Sequence, residues 1–217
     1  MTKTSAAHQE AKCELYLITP PQIDDLDAFA ALLNTVLETG FVACLQLRLK
    51  DVGDDGIRAA AKKIMPVCSA HEVAFILNDN ASLAHELDAD GVHLGQGDGD
   101  VRAARTLLGH DKDIGVTCHD SRHLAFEAGE AGADYVAFGA FFDTQTKQTD
   151  VRSDLEVLTM WDEVTDLPCV AIGGITVENC RSLADAGAHF VAVSSGVWNH
   201  PSGPVAAVQA YAEALAN

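Results

Sequence analysis

Eight short apolar runs, each followed by a longer amphipathic stretch, set the frame for this 217-residue chain. The runs are ELYLI (14–18), VACLQLR (42–48), VAFIL (73–77), GVHL (91–94), DIGVT (113–117), YVAFGAF (135–141), CVAIG (169–173) and FVAVSS (190–195). Their length and their content of Val, Ile and Phe predict strands buried on both faces. Helical spacing fills the intervals near 25–38, 54–70, 80–88, 100–108, 120–131, 152–163, 176–186 and 203–215; Leu26, Phe29, Ala30, Leu33 and Leu37, for example, share one face. Eight strand–helix units predict an α/β fold, a (β/α)8 TIM barrel, at the short end of the size range of that fold. An open doubly wound sheet would need a glycine fingerprint after its first strand, and TPPQID does not supply one. No linker rich in Pro, Gly or Ser divides the chain, so residues 13–217 read as a single catalytic domain and 1–12 as a disordered N-terminus.

In such a barrel the chemistry collects at the C-terminal ends of the strands. Strand two ends in Gln46-Leu47-Arg48-Leu49-Lys50, and alternation puts Gln46, Arg48 and Lys50 on one side while Leu47 and Leu49 face helices. Strand three ends in Asn78-Asp79, and strand four runs into Gly95-Gln96-Gly97-Asp98. Carboxylates from adjacent strand ends can share a hard cation such as Mg2+, although an Asp ahead of a helix is as readily a cap. Strand five ends in Thr117-Cys118-His119-Asp120, where Asp120 looks like an N-cap and His119 reads as structural before it reads as an acid or base. After strand six comes Asp143-Thr144-Gln145-Thr146-Lys147; after strand seven, Gly173-Gly174; after strand eight, Ser194-Ser195-Gly196. Glycines after the last two strands let backbone N–H groups approach a phosphate. The pattern suggests two anionic subsites. One holds Arg48, Lys50 and the Asp79/Asp98 pair, and the other holds Thr144, Thr146, Gly173, Gly174 and Ser195, with Lys147 between or beside them.

Charge sharpens this. Fourteen Lys and Arg against 32 Asp and Glu give a formal net charge of −18. Nucleic acid asks for a basic footprint and anionic membranes repel such a surface, so neither is expected as a partner. Basic residues needed for an anionic substrate have to be gathered at its site. Six cysteines, Cys13, Cys44, Cys68, Cys118, Cys169 and Cys180, form no CxxC pair and read as free thiols of a reducing cytosol. The nine histidines show no metal spacing, which argues against zinc. With no apolar signal core in MTKTSAAHQEAK and no run long enough to span a bilayer, the expectation is a cytoplasmic protein. A homo-oligomer is compatible with the sequence and not specified by it.

Taken in order, LYLIT, QLRLK, LND, DGVHLGQGD, GVTCH, ADYVAFGAFFDTQTK, VAIGGIT and VAVSSGV resemble the thiamine phosphate synthase family over nearly the whole chain, from Leu15 to about Val208. That resemblance implies a (β/α)8 barrel that joins hydroxymethylpyrimidine pyrophosphate to thiazole phosphate and releases pyrophosphate. It implies that Gln46, Arg48, Lys50 and Asn78 hold the pyrimidine pyrophosphate and that Asp79 and Asp98 bind Mg2+. Thr117 stands where the family usually has Ser and would serve the leaving pyrophosphate. Thr144, Thr146, Gly174, Ser194 and Ser195 would hold the thiazole phosphate, and Lys147 would contact pyrophosphate. Arg48, Lys50, Thr117 and Lys147 are thus the candidate catalytic residues.

The chain departs from the family pattern at Leu49 and Gly97, where acidic residues are usual, at Ala140 and Asp143 within the usual Gly-Pro-x-x-Pro-Thr, and at Asp154, where Gly is common. Two other readings compete with this one. The related thiazole tautomerases use a His at the position of Ala140 and lack the Asp pair. A non-catalytic paralogue that binds a thiamine precursor is the alternative from another class, motivated by Ala140, Asp143 and Asp154. Asp143 is close enough in sequence to pair with Lys147, which would partly neutralise that lysine.

Overall fold

The computed structural model describes residues 13–143 and 152–216. Among them, eight parallel strands close into one barrel in sequence order, β1 (Glu14–Ile18), β2 (Val42–Leu47), β3 (Ala74–Asn78), β4 (Gly91–Leu94), β5 (Asp113–His119), β6 (Tyr135–Phe138), β7 (Cys169–Ile172) and β8 (Phe190–Val193). The barrel is sealed by β1 against β8, with Leu15 opposite Val191. Around it run α1 (Leu26–Leu37), α2 (Asp54–Ala70), α3 (Ala81–Leu87), α4 (Val101–Leu108), α5 (Arg122–Ala131), α6 (Glu156–Val164), α7 (Cys180–Asp185), α8 (Ser195–Trp198) and α9 (Pro204–Ala216).

Strand alternation divides the core in two. Leu15, Leu17, Leu45, Leu47, Phe75, Leu77, Val92, Leu94, Val136 and Phe138 point outward and pack under the helices. Tyr16, Ile18, Cys44, Ile76, Tyr135, Ala137, Val170 and Ala192 point inward and fill the barrel. Each helix meets the outer layer with one apolar stripe; in α1 it is Phe29, Leu33, Val36 and Leu37, held in register by Asp25, whose carboxylate accepts the N–H groups of Asp27 and Ala28. Trp161 of α6, 1% exposed, packs its ring on Phe126 and Phe138 and donates its indole N–H to Leu167 O at 2.8 Å.

Most element ends shift by a few residues from the sequence expectation, and three differences have a clear local reason. β6 stops at Phe138 rather than 141; beyond it Phe141 and Phe142 donate to Ile172 O and Gly173 O at the end of the neighbouring β7. α6 begins at Glu156 rather than near 152, because Ser153 is tied to the mouth: its N–H donates to Ala140 O at 2.9 Å and its hydroxyl to His119 O at 3.2 Å. The four-residue α8, too short to show a period, follows β8 directly and is anchored by Trp198, whose indole N–H donates to Ile18 O at 2.7 Å. Residues 1–12, expected to be disordered, lie outside the described residues. All six cysteines are free and buried, and no helix among the described residues is long and apolar enough to cross a membrane.

Candidate active site

A cavity of about 350 Å³ opens at the C-terminal mouth of the barrel. Its wall brings together Gln46 and Arg48 from β2, Asn78 and Asp79 from β3, His93 from β4, Asp98 from the following loop and Thr117 from β5. Gly173, Gly174, Ser194 and Ser195 close the other side, with Ala140 and Ile172 between. Arg48 and two carboxylates therefore face a wall of small residues across one space.

Arg48 follows the end of β2, where its N–H donates to the buried Thr19 hydroxyl at 3.0 Å, and that hydroxyl donates back to Arg48 O at 3.2 Å. This reciprocal pair fixes the backbone from which the guanidinium extends. Lys50 is not brought into the cavity wall. The strand ends at Leu47, so the alternation that predicts Lys50 beside Arg48 does not continue; its N–H donates to Pro21 O at 2.8 Å and the residue is exposed.

Asn80, not Asp79, closes the N-terminus of α3, its side chain accepting the Leu83 N–H at 2.9 Å. Asp100, not Asp98, does so for α4, accepting from Ala103 at 2.8 Å. Asp98 instead bends back, and its Oδ2 accepts the Gly95 N–H at 2.9 Å. Ser121, not Asp120 as expected from sequence, caps α5. Asp79 and Asp98 thus remain on the cavity wall, one from each of two adjacent strand ends. Among the described residues no group of three or more His, Cys, Asp or Glu side chains could hold a metal ion. Two carboxylates with oxygen-only chemistry nevertheless match Mg2+, which takes one or two protein carboxylates and completes its sphere with water and substrate phosphate.

On β5, Thr117 is half-buried and Cys118 points outward into the helix layer. Burial pushes the Cys118 thiol up to about 12, so it is no nucleophile at neutral pH. His119 lines the cavity through a backbone at φ 54, its carbonyl accepting from Gly139 and Ser153. The Gln96 side chain donates to Thr117 O at 2.6 Å and ties the β4–α4 loop to β5.

Gly173 and Gly174 sit at φ 102 and 63, the left-handed half of backbone space that glycine enters without steric cost. A Cβ on Gly174 would also overlap the backbone of Phe142 and Asp143, and one on Gly173 would overlap Ala140. The two glycines therefore let the β7–α7 loop lie against the chain leaving β6. Ser194 donates its hydroxyl to Thr19 O at 3.1 Å, which links this side of the mouth to the Arg48 side. Thr144, Thr146 and Lys147 lie outside the described residues. Asp143, at the near edge of that segment, forms an ion pair with Arg152 at its far edge, and Asp154 accepts the Glu156 N–H at 3.0 Å ahead of α6.

His93 is a polar cavity residue that the sequence does not single out. The signal for it was alternation: in GVHL, Val92 and Leu94 are outward-facing core residues, which turns His93 inward. Its Nε2 lies 2.8 Å from Thr117 Oγ1 and its Nδ1 3.1 Å from Tyr135 Oη.

The family model for thiamine monophosphate synthase matches residues 15–197. The chain is 58% identical to a thiamine-phosphate synthase of Rhodospirillum centenum over 196 residues, covering 90% of this chain and 94% of that one. It is 50% identical to one of Hyphomonas neptunium over 214 residues, 96% of each chain. Among solved structures it is similar to thiamine phosphate pyrophosphorylase from Pyrococcus furiosus, with a TM-score of 0.81 and 28% identity over 94% of this chain and 96% of that one. With the family model matching residues 15–197 and a curated relative 58% identical over 90% of this chain, the chain belongs to the thiamine monophosphate synthase family.

Proposed function

We propose that this protein joins hydroxymethylpyrimidine pyrophosphate to thiazole phosphate, giving thiamine phosphate and pyrophosphate, with Mg2+ as cofactor. The observation that carries the reading is the single cavity that holds Arg48, Asp79 and Asp98 on one side and Gly173, Gly174, Ser194 and Ser195 on the other. In a family whose named relatives are thiamine-phosphate synthases, that division suits one substrate bearing a pyrophosphate and another bearing a monophosphate.

The bond between the pyrimidine methylene carbon and the pyrophosphate oxygen breaks first, and both electrons leave with pyrophosphate. The thiazole nitrogen then gives its lone pair to the methylene carbon and becomes the quaternary nitrogen of the product. No proton has to be removed for this exchange, which suits a site that offers cations and hydroxyls more than bases. Arg48 stabilises the charge that grows on the leaving group, the kind of preorganised electrostatic help that contributes most in such sites. Gln46, 3% exposed at the inner wall, and Asn78 are placed to orient the pyrimidine. Thr117 offers a hydroxyl to the pyrophosphate. Asp79 and Asp98 would hold Mg2+, which, when bound, neutralises charge on the pyrophosphate. Gly174, Ser194 and Ser195, with Thr144 and Thr146, would hold the thiazole phosphate, and Lys147 and Lys50 would add positive charge at the pyrophosphate. Holding the two substrates in line supplies much of the remaining rate.

The test is the reaction itself, with both substrates and Mg2+ and chromatographic detection of thiamine phosphate. The order of bond changes is tested by labelling the bridging oxygen of the pyrimidine pyrophosphate with 18O. Scrambling of the label into non-bridging positions while thiazole phosphate is limiting is the expected result; retention of the label throughout turnover would contradict a dissociative first step.

A further inference from the structure

The inside of such a barrel is ordinarily filled by branched apolar side chains. Here a line of polar groups crosses it. Tyr16 of β1 has its hydroxyl oxygen 3.0 Å from that of Tyr135 on β6. Tyr135 Oη is 3.1 Å from His93 Nδ1 on β4, and His93 Nε2 is 2.8 Å from Thr117 Oγ1 on β5. Tyr16, His93 and Tyr135 are 3%, 8% and 9% exposed, whereas Thr117 sits on the cavity wall. Room for the Tyr135 ring comes from Gly115, where any Cβ would collide with it.

Counting hydrogens gives the line a direction. Burial pushes both tyrosines far above their ordinary value, so each keeps its one hydroxyl hydrogen. Tyr16 has Tyr135 Oη as its hydroxyl's one hydrogen-bond partner among the described residues. Unless it donates there, a hydrogen is buried without an acceptor, which is costly. With Tyr135 accepting, its own hydrogen goes to the other neighbour, His93 Nδ1. The ring is then the neutral tautomer with its hydrogen on Nε2, and that N–H donates to Thr117 Oγ1. The opposite tautomer would turn the Tyr135 hydrogen back towards Tyr16 and leave one hydrogen with no acceptor.

We propose that Tyr16, Tyr135 and His93 are positioning residues whose one-way hydrogen-bond chain turns the Thr117 hydroxyl outward as a donor into the cavity. On the reading given under Proposed function, what accepts it is an oxygen of the leaving pyrophosphate; only the identity of the acceptor rests on that reading. An anion offers acceptors alone, so a Thr117 hydroxyl turned back to His93 would present lone pairs to negative charge. The chain prevents that orientation before substrate arrives, and the cost of ordering the hydroxyl falls on folding rather than on the reaction.

Two measurements on the full chain decide the matter. Long-range 1H–15N correlation spectra near neutral pH, with His93 assigned through His93→Gln, are expected to show the Nε2–H tautomer, and Tyr16→Phe is expected to shift it towards Nδ1–H. An Nδ1–H ring, or one protonated at both nitrogens, in the wild-type protein overturns the proposal whether or not the protein makes thiamine phosphate. In kinetics with both substrates and Mg2+, Tyr135→Phe is expected to lower kcat about tenfold, in the range seen when a positioning partner is lost, with both KM values changed less than about twofold. The loss is expected to vanish in a Thr117→Val background and not in Thr117→Ser, which keeps the hydroxyl. A Tyr135→Phe defect that persists undiminished with Thr117→Val, or no defect at all, overturns it. Tyr16→Phe, one step further from the cavity and with its ring retained, is expected to give the same pattern should Tyr135→Phe fail to fold. Absence of product from the wild-type protein would overturn the assigned reaction, and the tautomer would still decide the direction of the chain.

Discussion

Asn80 accepts the Leu83 N–H at 2.9 Å and so takes over the helix end that Asp79, one residue earlier, would otherwise close. Asp79 sits at φ 66, turned onto the cavity wall. The same division recurs one strand on, where Asp100 caps α4 and Asp98 lines the cavity. At each of these two strand ends one side chain caps a helix and its neighbour lines the cavity.

That division predicts opposite phenotypes for neighbours. Asn80→Ala is expected to lose about 1 kcal/mol of stability, as for other lost caps. Asp79→Asn keeps a residue that tolerates the left-handed conformation and removes no helix cap, and is expected to cost less stability than Asn80→Ala. Urea denaturation of the two variants checks this; a larger loss from Asp79→Asn would show that its carboxylate holds the fold.

Asp98→Asn preserves an oxygen that can accept the Gly95 N–H and removes only the charge. Turnover at saturating Mg2+ is expected to fall by about a hundredfold or more, as when a principal electrostatic stabiliser is lost, with an unchanged circular dichroism spectrum. Near wild-type rates would remove Asp98 from the metal site.

The crowding between Gly115 and Tyr135 is tested by a single methyl group. Gly115→Ala is expected to cost about 1 to 3 kcal/mol, the usual range for an overpacked interior. A neutral change in the urea midpoint would show that the Tyr135 ring moves aside freely.

Alkaline pH provides a fourth test. Burial raises the thiols of Cys13, Cys68 and Cys118 from 9.0 to about 12. Between those values the unfolded chain releases protons that the folded chain retains, so the folded state binds more protons and its stability falls as pH rises. Stability is therefore fully present below about pH 9 and declines towards pH 12, by about 1.4 kcal/mol per pH unit for each such thiol. Urea midpoints at about pH 8 and pH 10 are expected to differ less in Cys118→Ala than in the wild-type protein; an equal difference would show that this thiol ionises alike in both states.

Much of this was legible in the sequence because barrel strands are short, apolar and regularly spaced, and alternation assigns their two faces without further information. Arg48, Asn78, Asp79, Asp98 and Thr117 could be singled out as polar residues at apolar strand ends, and they line one cavity. Lys50 could not be judged, because alternation fails as soon as a strand ends, and β2 ends at Leu47. The caps were ambiguous since Asp79-Asn80 and Asp98-Gly99-Asp100 each offer two polar side chains within one turn, and only backbone geometry decides which one reaches the N–H group. His93 was hidden among core residues of a four-residue strand. Its role depends on Tyr16 and Tyr135, on strands far away in sequence, and no local pattern encodes their meeting.

The most direct measurement is a single-turnover reaction of the full chain with hydroxymethylpyrimidine pyrophosphate, thiazole phosphate and Mg2+, following thiamine phosphate and pyrophosphate together. The two products are expected to appear in equal amounts, and to disappear together in the Asp79→Asn, Asp98→Asn double variant. Tight binding of both substrates by the wild-type protein with neither product formed would contradict the account.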